Sequence, residues 1–188
     1  MLMQVARVYY PVETLGYGRR LGIWTVGCPR RCRNCSNPEL QVEDPSQMIE
    51  IDDLREIIQH YLPQIDGITI TGGDPLFQSQ ALHELLTICD ELGVADVLVY
   101  TGYTMKEISE SSSLRPLLSH IGVLIDGPYI EEKNDSVGIR GSSNQKIYIL
   151  NKELEPRYKN VSDWKRKSQT VIANGIIYAI GIPIKSEN

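Results

Sequence analysis

Hydrophobic and polar positions change period along the chain, and the changes mark its elements. The run "LGIWTV" (21–26) is almost unbroken apolar sequence ending at Gly27, which predicts a buried strand. In "DDLREIIQHYL" (52–62), apolar side chains at 54, 57, 58, 61 and 62 form a helical stripe, and Asp52 or Asp53 caps its start. "GITITGG" (67–73) is a β-branched run closed by glycines. "SQALHELLTICDELG" (79–93) predicts a second helix with 82, 85, 86, 89 and 92 on its apolar face and Gly93 as its stop. "DVLVYTGY" (96–103) and "GVLIDGPY" (122–129) predict two more strands, with a helical piece near 114–118 between them. "QKIYIL" (145–150) reads as a further strand. In "QTVIANGIIYAIGI" (169–182), Asn174-Gly175 between two β-rich runs is a type I′ hairpin signal.

Alternating strands and helices imply parallel β/α units. Strands apolar on both faces suit a sheet covered on both sides. The pattern predicts an α/β fold: a partial, open β/α barrel of about six mainly parallel strands with a C-terminal β-hairpin extension. Residues 1–150 would form the barrel, and 151–188 the extension, packed on the same domain. Ligands in such folds collect at the carboxyl ends of the strands. Four of those ends carry unusual loops here: "GCPRRC", "TGGDPL", "TGYT" and "DGPY".

Composition narrows the function. The 188 residues are 41% hydrophobic and 23% charged, an ordinary globular mixture, and the formal charge of −5 argues against a general nucleic-acid binder. No apolar run approaches the roughly 18 residues of a membrane-spanning helix, and "MLMQVARVYY" lacks the form of a secretory signal. A cytoplasmic protein is expected, where clustered cysteines are metal ligands or redox groups rather than disulfides. Basic residues at Lys159 and 165–167 read as a solvated face, with a docking patch as the alternative.

Three of the four cysteines, Cys28, Cys32 and Cys35, fall within "VGCPRRCRNCSNPEL" (26–40). Zinc is one reading, but structural zinc usually pairs two ligand sets, and no second CxxC or HxxxH is present. An iron–sulfur cluster held by three thiolates fits better, because it leaves one iron open for chemistry. Cys89 lies on the apolar face of its helix and reads as a core residue. Paired carboxylates or a His/Asp constellation for acid–base catalysis are absent, so no catalytic side chain is named.

In order, "GYGRR", "GCPRRCRNCSNPE", "TGGDPL", "YTGYTMKEI", "VLIDGPYIEEKND" and "RGSSNQK" span roughly residues 16–147. This set resembles the radical S-adenosylmethionine superfamily, and more narrowly the activating proteins of anaerobic ribonucleotide reductase and the related pyruvate formate-lyase activases. The resemblance implies a 4Fe–4S cluster on Cys28, Cys32 and Cys35, whose open iron chelates S-adenosyl-L-methionine. Asn34 and Ser36 would lie against the cofactor, with Asn34 standing where many members place an aromatic ring. Gly72, Gly73 and Asp74 would take the methionyl amino group. Thr101 and Asp126 would line the cofactor's ribose and carboxylate. Arg140 would bind that carboxylate or order its own loop.

The implied reaction is reductive cleavage of S-adenosylmethionine to a 5′-deoxyadenosyl radical, followed by hydrogen abstraction from a glycine of a partner glycyl radical enzyme. A low-potential donor such as flavodoxin or ferredoxin and an anaerobic setting would accompany it. Two alternatives remain: a radical enzyme acting on another peptide or a small metabolite, and a non-catalytic iron–sulfur or zinc protein.

Overall fold

The computed structural model describes residues 1–173 and 175–183. A seven-stranded sheet is ordered β3-β1-β2-β4-β5-β6-β7, and a separate pair, β8-β9, forms a second small sheet. The strands are β1 (Leu2–Val12), β2 (Arg20–Thr25), β3 (Met48–Glu50), β4 (Gly67–Gly72), β5 (Val97–Tyr100), β6 (Val123–Asp126), β7 (Lys146–Ile149), β8 (Ser168–Ala173) and β9 (Ile176–Gly181). Among the described residues, three α-helices, α1 (Ile51–Tyr61), α2 (Ser79–Glu91) and α3 (Met105–Glu110), accompany them. The four central strands, β2, β4, β5 and β6, run parallel. Both flanks are antiparallel: β1 on β2, β3 on β1, and β7 on β6.

The α/β fold with its parallel centre and C-terminal hairpin is as expected, but the sheet has seven strands rather than about six, and its flanks are antiparallel. The connections give the reason. A parallel return needs a crossover of a dozen or more residues, usually a helix. Such links precede β4, β5 and β6. Only residues 13–19 join β1 to β2, and no α-helix lies between β6 and β7, so these pairs form antiparallel. The end strands β3 and β7 are not paired with each other. β1 and β3 have no counterpart in the hydrophobic pattern, nor does α3, whose first residues belong to the motif "YTGYTMKEI".

Alternation along the strands sorts side chains onto two faces. Leu21, Ile23, Ile68, Ile70, Val97, Val99 and Leu124 join the buried faces of α1 and α2 in the main core. Trp24 faces the other way, with Val12, Leu15, Val26 and Leu40, and meets Val171 and Ile180 of the small sheet. Leu98, Val123 and Ile125 pack on Ile139, Leu154, Tyr158 and Val161. Helices thus cover one face, while the chain after β7 covers the other. Gly22 makes room for this arrangement: a Cβ there would lie 2.5 Å from the Trp24 ring. Asn174 of the Asn174-Gly175 turn signal lies outside the described residues; the strands flanking it pair antiparallel, Ala173 with Ile176.

Candidate active site at the carboxyl edge of the sheet

Register brings the four parallel strands to a common edge, with Thr25 opposite Gly72 and Tyr100 opposite Ile125. The loops beyond that edge interlock. Gly73 N–H donates to Thr25 O (2.8 Å), Asp74 N–H to Gly27 O (2.8 Å), and Gly27 N–H to Leu40 O (2.8 Å). Gly72 has φ +110°, and a Cβ there would sit 2.4 Å from the Thr25 backbone; one on Gly73 would sit 2.4 Å from Gly27 O. Both positions require glycine because the loop after β4 lies directly on the cysteine loop.

The cysteine loop curls. Arg31 and Asn34 both have left-handed backbone, at φ +52° and +53°. Cys28, Cys32 and Cys35 are free, half-buried thiols, and burial pushes the Cys28 thiol above its usual range. Cys89 is buried among the core side chains on α2, apart from the cysteine loop, and desolvation pushes its thiol up to about 12. Arg30 spans to the start of α3: its guanidinium lies 4.5 Å from the Tyr103 ring and 2.7 Å from Glu107 Oε1. Asn34 donates to Glu131 Oε2 (2.6 Å) across the site.

Among the described residues, no three or more His, Cys, Asp or Glu side chains are already gathered as a metal-holding group. The chemistry of the donors nevertheless fits a thiolate-held iron–sulfur cluster: three free soft ligands on one curled loop, and a fourth cysteine sequestered.

Asp74, Thr101, Asp126 and Arg140 are engaged with the protein itself. Asp74 is fully buried; its Oδ1 accepts from Leu76 N–H (3.1 Å) and the Thr101 hydroxyl (2.8 Å), and its Oδ2 from Gly102 N–H (2.9 Å). Desolvation raises its pKa to about 6, against the pull of those donors. Asp126 ties two elements, accepting from Met105 N–H at the start of α3 (2.7 Å) and from Lys146 N–H of β7 (3.0 Å). Arg140 pairs with Asp135 at 2.8 Å.

Lys159, Lys165 and Lys167 are exposed, as a solvated face requires, but Arg166 among them is not. The Arg166 side chain is 2% exposed. It donates to Asn134 Oδ1 (2.7 Å), Pro183 O (2.5 Å), Arg140 O (2.6 Å) and Gly141 O (3.2 Å). Burial lowers its pKa. Charge composition could not reveal this, because its partners are mostly backbone carbonyls supplied by tertiary folding.

Beside the loops, a cavity of about 740 Å³ opens between the sheet and the β8–β9 hairpin. Of the predicted site residues, Cys35 and Ser36 line it, and the others do not. Its walls include Arg7, Trp24, Tyr100 and Tyr129, with Gln145 of the "RGSSNQK" stretch and Tyr178 of β9. The volume suits a cofactor-sized ligand, and aromatic walls with a few polar groups are the usual lining of such pockets. In the sequence Gln145 belongs to the motif "RGSSNQK" and opens the strand run "QKIYIL", while Trp24 and Tyr178 read as strand residues; nothing local marks these or Arg7 as part of a site.

Residues 14–148 match the model of the 4Fe-4S single cluster domain family. The chain is 33% identical over 152 residues to the anaerobic ribonucleoside-triphosphate reductase-activating protein of Pasteurella multocida, covering 74% of this chain and 94% of that protein. The protein of the same name from Haemophilus influenzae is 32% identical over the same shares. A pyruvate formate-lyase-activating enzyme from Staphylococcus aureus is 35% identical over 94 residues, 45% of this chain and 38% of that enzyme.

Proposed function

We propose a function from one premise: the chain belongs to the 4Fe–4S single cluster domain family and to the anaerobic ribonucleoside-triphosphate reductase-activating proteins. It is a radical S-adenosylmethionine enzyme that takes a hydrogen atom from a glycine of a partner glycyl radical enzyme. The observation that carries this reading is a free three-thiol loop whose third cysteine lines a half-open, cofactor-sized cavity. Cys28, Cys32 and Cys35 would hold the cluster. When bound, the cluster and S-adenosylmethionine supply reductive cleavage to a 5′-deoxyadenosyl radical.

The chain's own residues position and exclude. Gly72 and Gly73 let the loop after β4 lie against the cysteine loop, and buried Asp74 locks that loop to Thr101 and Gly102. Backbone groups of this layer, with Asn34 and Ser36, would contact the cofactor. Arg140, held by Asp135, would face its carboxylate end. The hairpin and the aromatic walls would shield part of the cavity from bulk water, which radical chemistry favours. Residues 1–150 would carry the reaction, and 151–188 would complete the same domain. A low-potential donor of the flavodoxin or ferredoxin class would supply the electron, in an anaerobic cytoplasm.

The cavity beside the hairpin favours a second reading, a radical enzyme acting on another peptide or a small metabolite. Two measurements separate these. After anaerobic reconstitution and reduction, the protein should convert S-adenosylmethionine to 5′-deoxyadenosine, and Cys28→Ala, Cys32→Ala and Cys35→Ala should each abolish this. Failure of the unsubstituted protein overturns both readings. Mixed with a glycyl radical enzyme, the reduced protein should generate a glycyl radical signal by electron paramagnetic resonance; 5′-deoxyadenosine without that signal favours the second reading.

A further inference from the structure

The C-terminal hairpin lies outside the span matched by the family model, yet it touches the site. Arg7 of β1 is the point of contact. Its guanidinium sits 5.4 Å from the Trp24 ring of β2 and 5.0 Å from the Tyr178 ring of β9. Both distances are within cation–π range. The same group places Nη2 3.3 Å from Asn37 Oδ1 and 3.4 Å from Glu39 Oε1. Asn37 stands two residues beyond Cys35. An irregularity in β1 aims the side chain: Val5 pairs with Thr25 and Arg7 with Trp24, so β1 advances two residues while β2 advances one. A bulge of this kind redirects a side chain.

The turn that Arg7 grips also closes the cysteine loop. Gln41 O accepts from Cys28 N–H (3.0 Å) and Leu40 O from Gly27 N–H (2.8 Å), while Leu40 N–H and Gln41 N–H bond back to Asn37 O and Pro38 O. A continuous path therefore runs from Tyr178 through Arg7 and Asn37 to the backbone of Cys28. A guanidinium flanked by two rings loses little further freedom on forming its bonds, which suits it to hold a loop.

We propose that Arg7 is a positioning residue for the cysteine loop and that Tyr178 holds it in place, which makes the hairpin part of the reaction site. The consequence for the cluster rests on the function proposed above; the positioning itself does not. The hairpin would stabilise the loop on which the three thiols are carried, and disturbance of the hairpin would be felt at the ligands.

The test is amide hydrogen exchange on the full-length, iron-free protein, comparing Arg7→Gln, Tyr178→Leu and Tyr178→Phe. The amides of Gly27, Cys28, Leu40 and Gln41 should exchange roughly tenfold faster in Tyr178→Leu, the change expected when one fixed cation–π contact is lost, and at least as much faster in Arg7→Gln, which loses both. Tyr178→Phe keeps the ring and should exchange as the unsubstituted protein does. After reconstitution, the first two variants should show an altered electron paramagnetic resonance spectrum of the reduced cluster, and Tyr178→Phe an unaltered one. Acceleration confined to residues 168–181, or spread equally over the whole sheet, overturns the proposal. Exchange is read without iron, so a protein that shows the expected exchange pattern but never forms 5′-deoxyadenosine would sink the proposed function and leave the positioning role standing.

Discussion

At Asp74, burial and hydrogen bonding act in opposite directions on one carboxyl group. Desolvation dominates and raises its pKa from 3.8 to about 6. The folded state therefore binds this proton more tightly than the unfolded chain does. The resulting stabilisation is fully present below pH 3.8 and is lost as pH rises through about 6. Asp74→Asn removes this titration and sets an NH₂ or a single carbonyl against three donors, leaving at least one unsatisfied. We expect Asp74→Asn to cost roughly 1–3 kcal/mol. The gap between the unsubstituted protein and the variant should be wider at pH 4 than at pH 7 in urea denaturation of the iron-free chains. A gap independent of pH would contradict the assignment. Asp74 was legible in the sequence as part of "TGGDPL", but its contacts were not: Thr101 and Gly102 meet it only because β4 and β5 lie side by side.

Among the elements, α3 shows how a short helix can serve a distant loop. Thr104 and Glu107 form a capping box at its start. The Thr104 N–H, then Arg30, hold the Glu107 carboxyl down to about 2. Arg30 belongs to the cysteine loop, so the cap is also the loop's anchor. Thr104→Ala should cost about 1 kcal/mol of stability, measured by denaturant unfolding. The β8–β9 hairpin is held differently. Gln169 bridges β1 by donating to Pro11 O (2.6 Å) and accepting from Glu13 N–H (3.2 Å), and the Thr14 hydroxyl donates to Ile180 O (3.2 Å). Gln169→Ala should speed exchange of the hairpin amides while leaving those of β2, β4 and β5 unchanged; equal acceleration in the central strands would show that this bridge is not a local attachment. Both helices with long apolar stripes and all four parallel strands could be read from local periodicity. β1 and β3 could not, because their pairing is with strands already formed and their outer positions are mixed in polarity.

For the molecule as a whole, the edge of the sheet opposite the site is joined by one buried cation. Arg20 is fully buried and pairs with Asp96 at 2.9 Å. It also donates to the Thr69 hydroxyl (2.6 Å), Ile68 O (2.7 Å) and Tyr17 O (3.0 Å), and meets the Tyr158 hydroxyl (3.2 Å). One side chain thus binds β2, β4, the entry to β5 and the segment after β7. Removing it leaves Asp96 buried with its main partner gone. Arg20→Leu should lose roughly 3–5 kcal/mol, read as a large drop in the denaturation midpoint, and a drop under 1 kcal/mol would refute the role. Conservation of charge in Arg20→Lys should restore only part of this, since an ammonium cannot reproduce the guanidinium's set of donors.

Consecutive residues determined the β/α units, the glycine turns and the three-thiol loop. Periodicity, chain-breaking residues and ligand spacing are local properties that survive without a fold. The chemistry of the site was therefore legible early, and the family relationship agrees with it. Tertiary structure alone decided the antiparallel flanks, the burial of Arg166, the partners of Asp74 and the placement of Arg7 between Trp24 and Tyr178. Each of these joins residues far apart in the chain, and its energy depends on desolvation and on a partner's position, which no local pattern records.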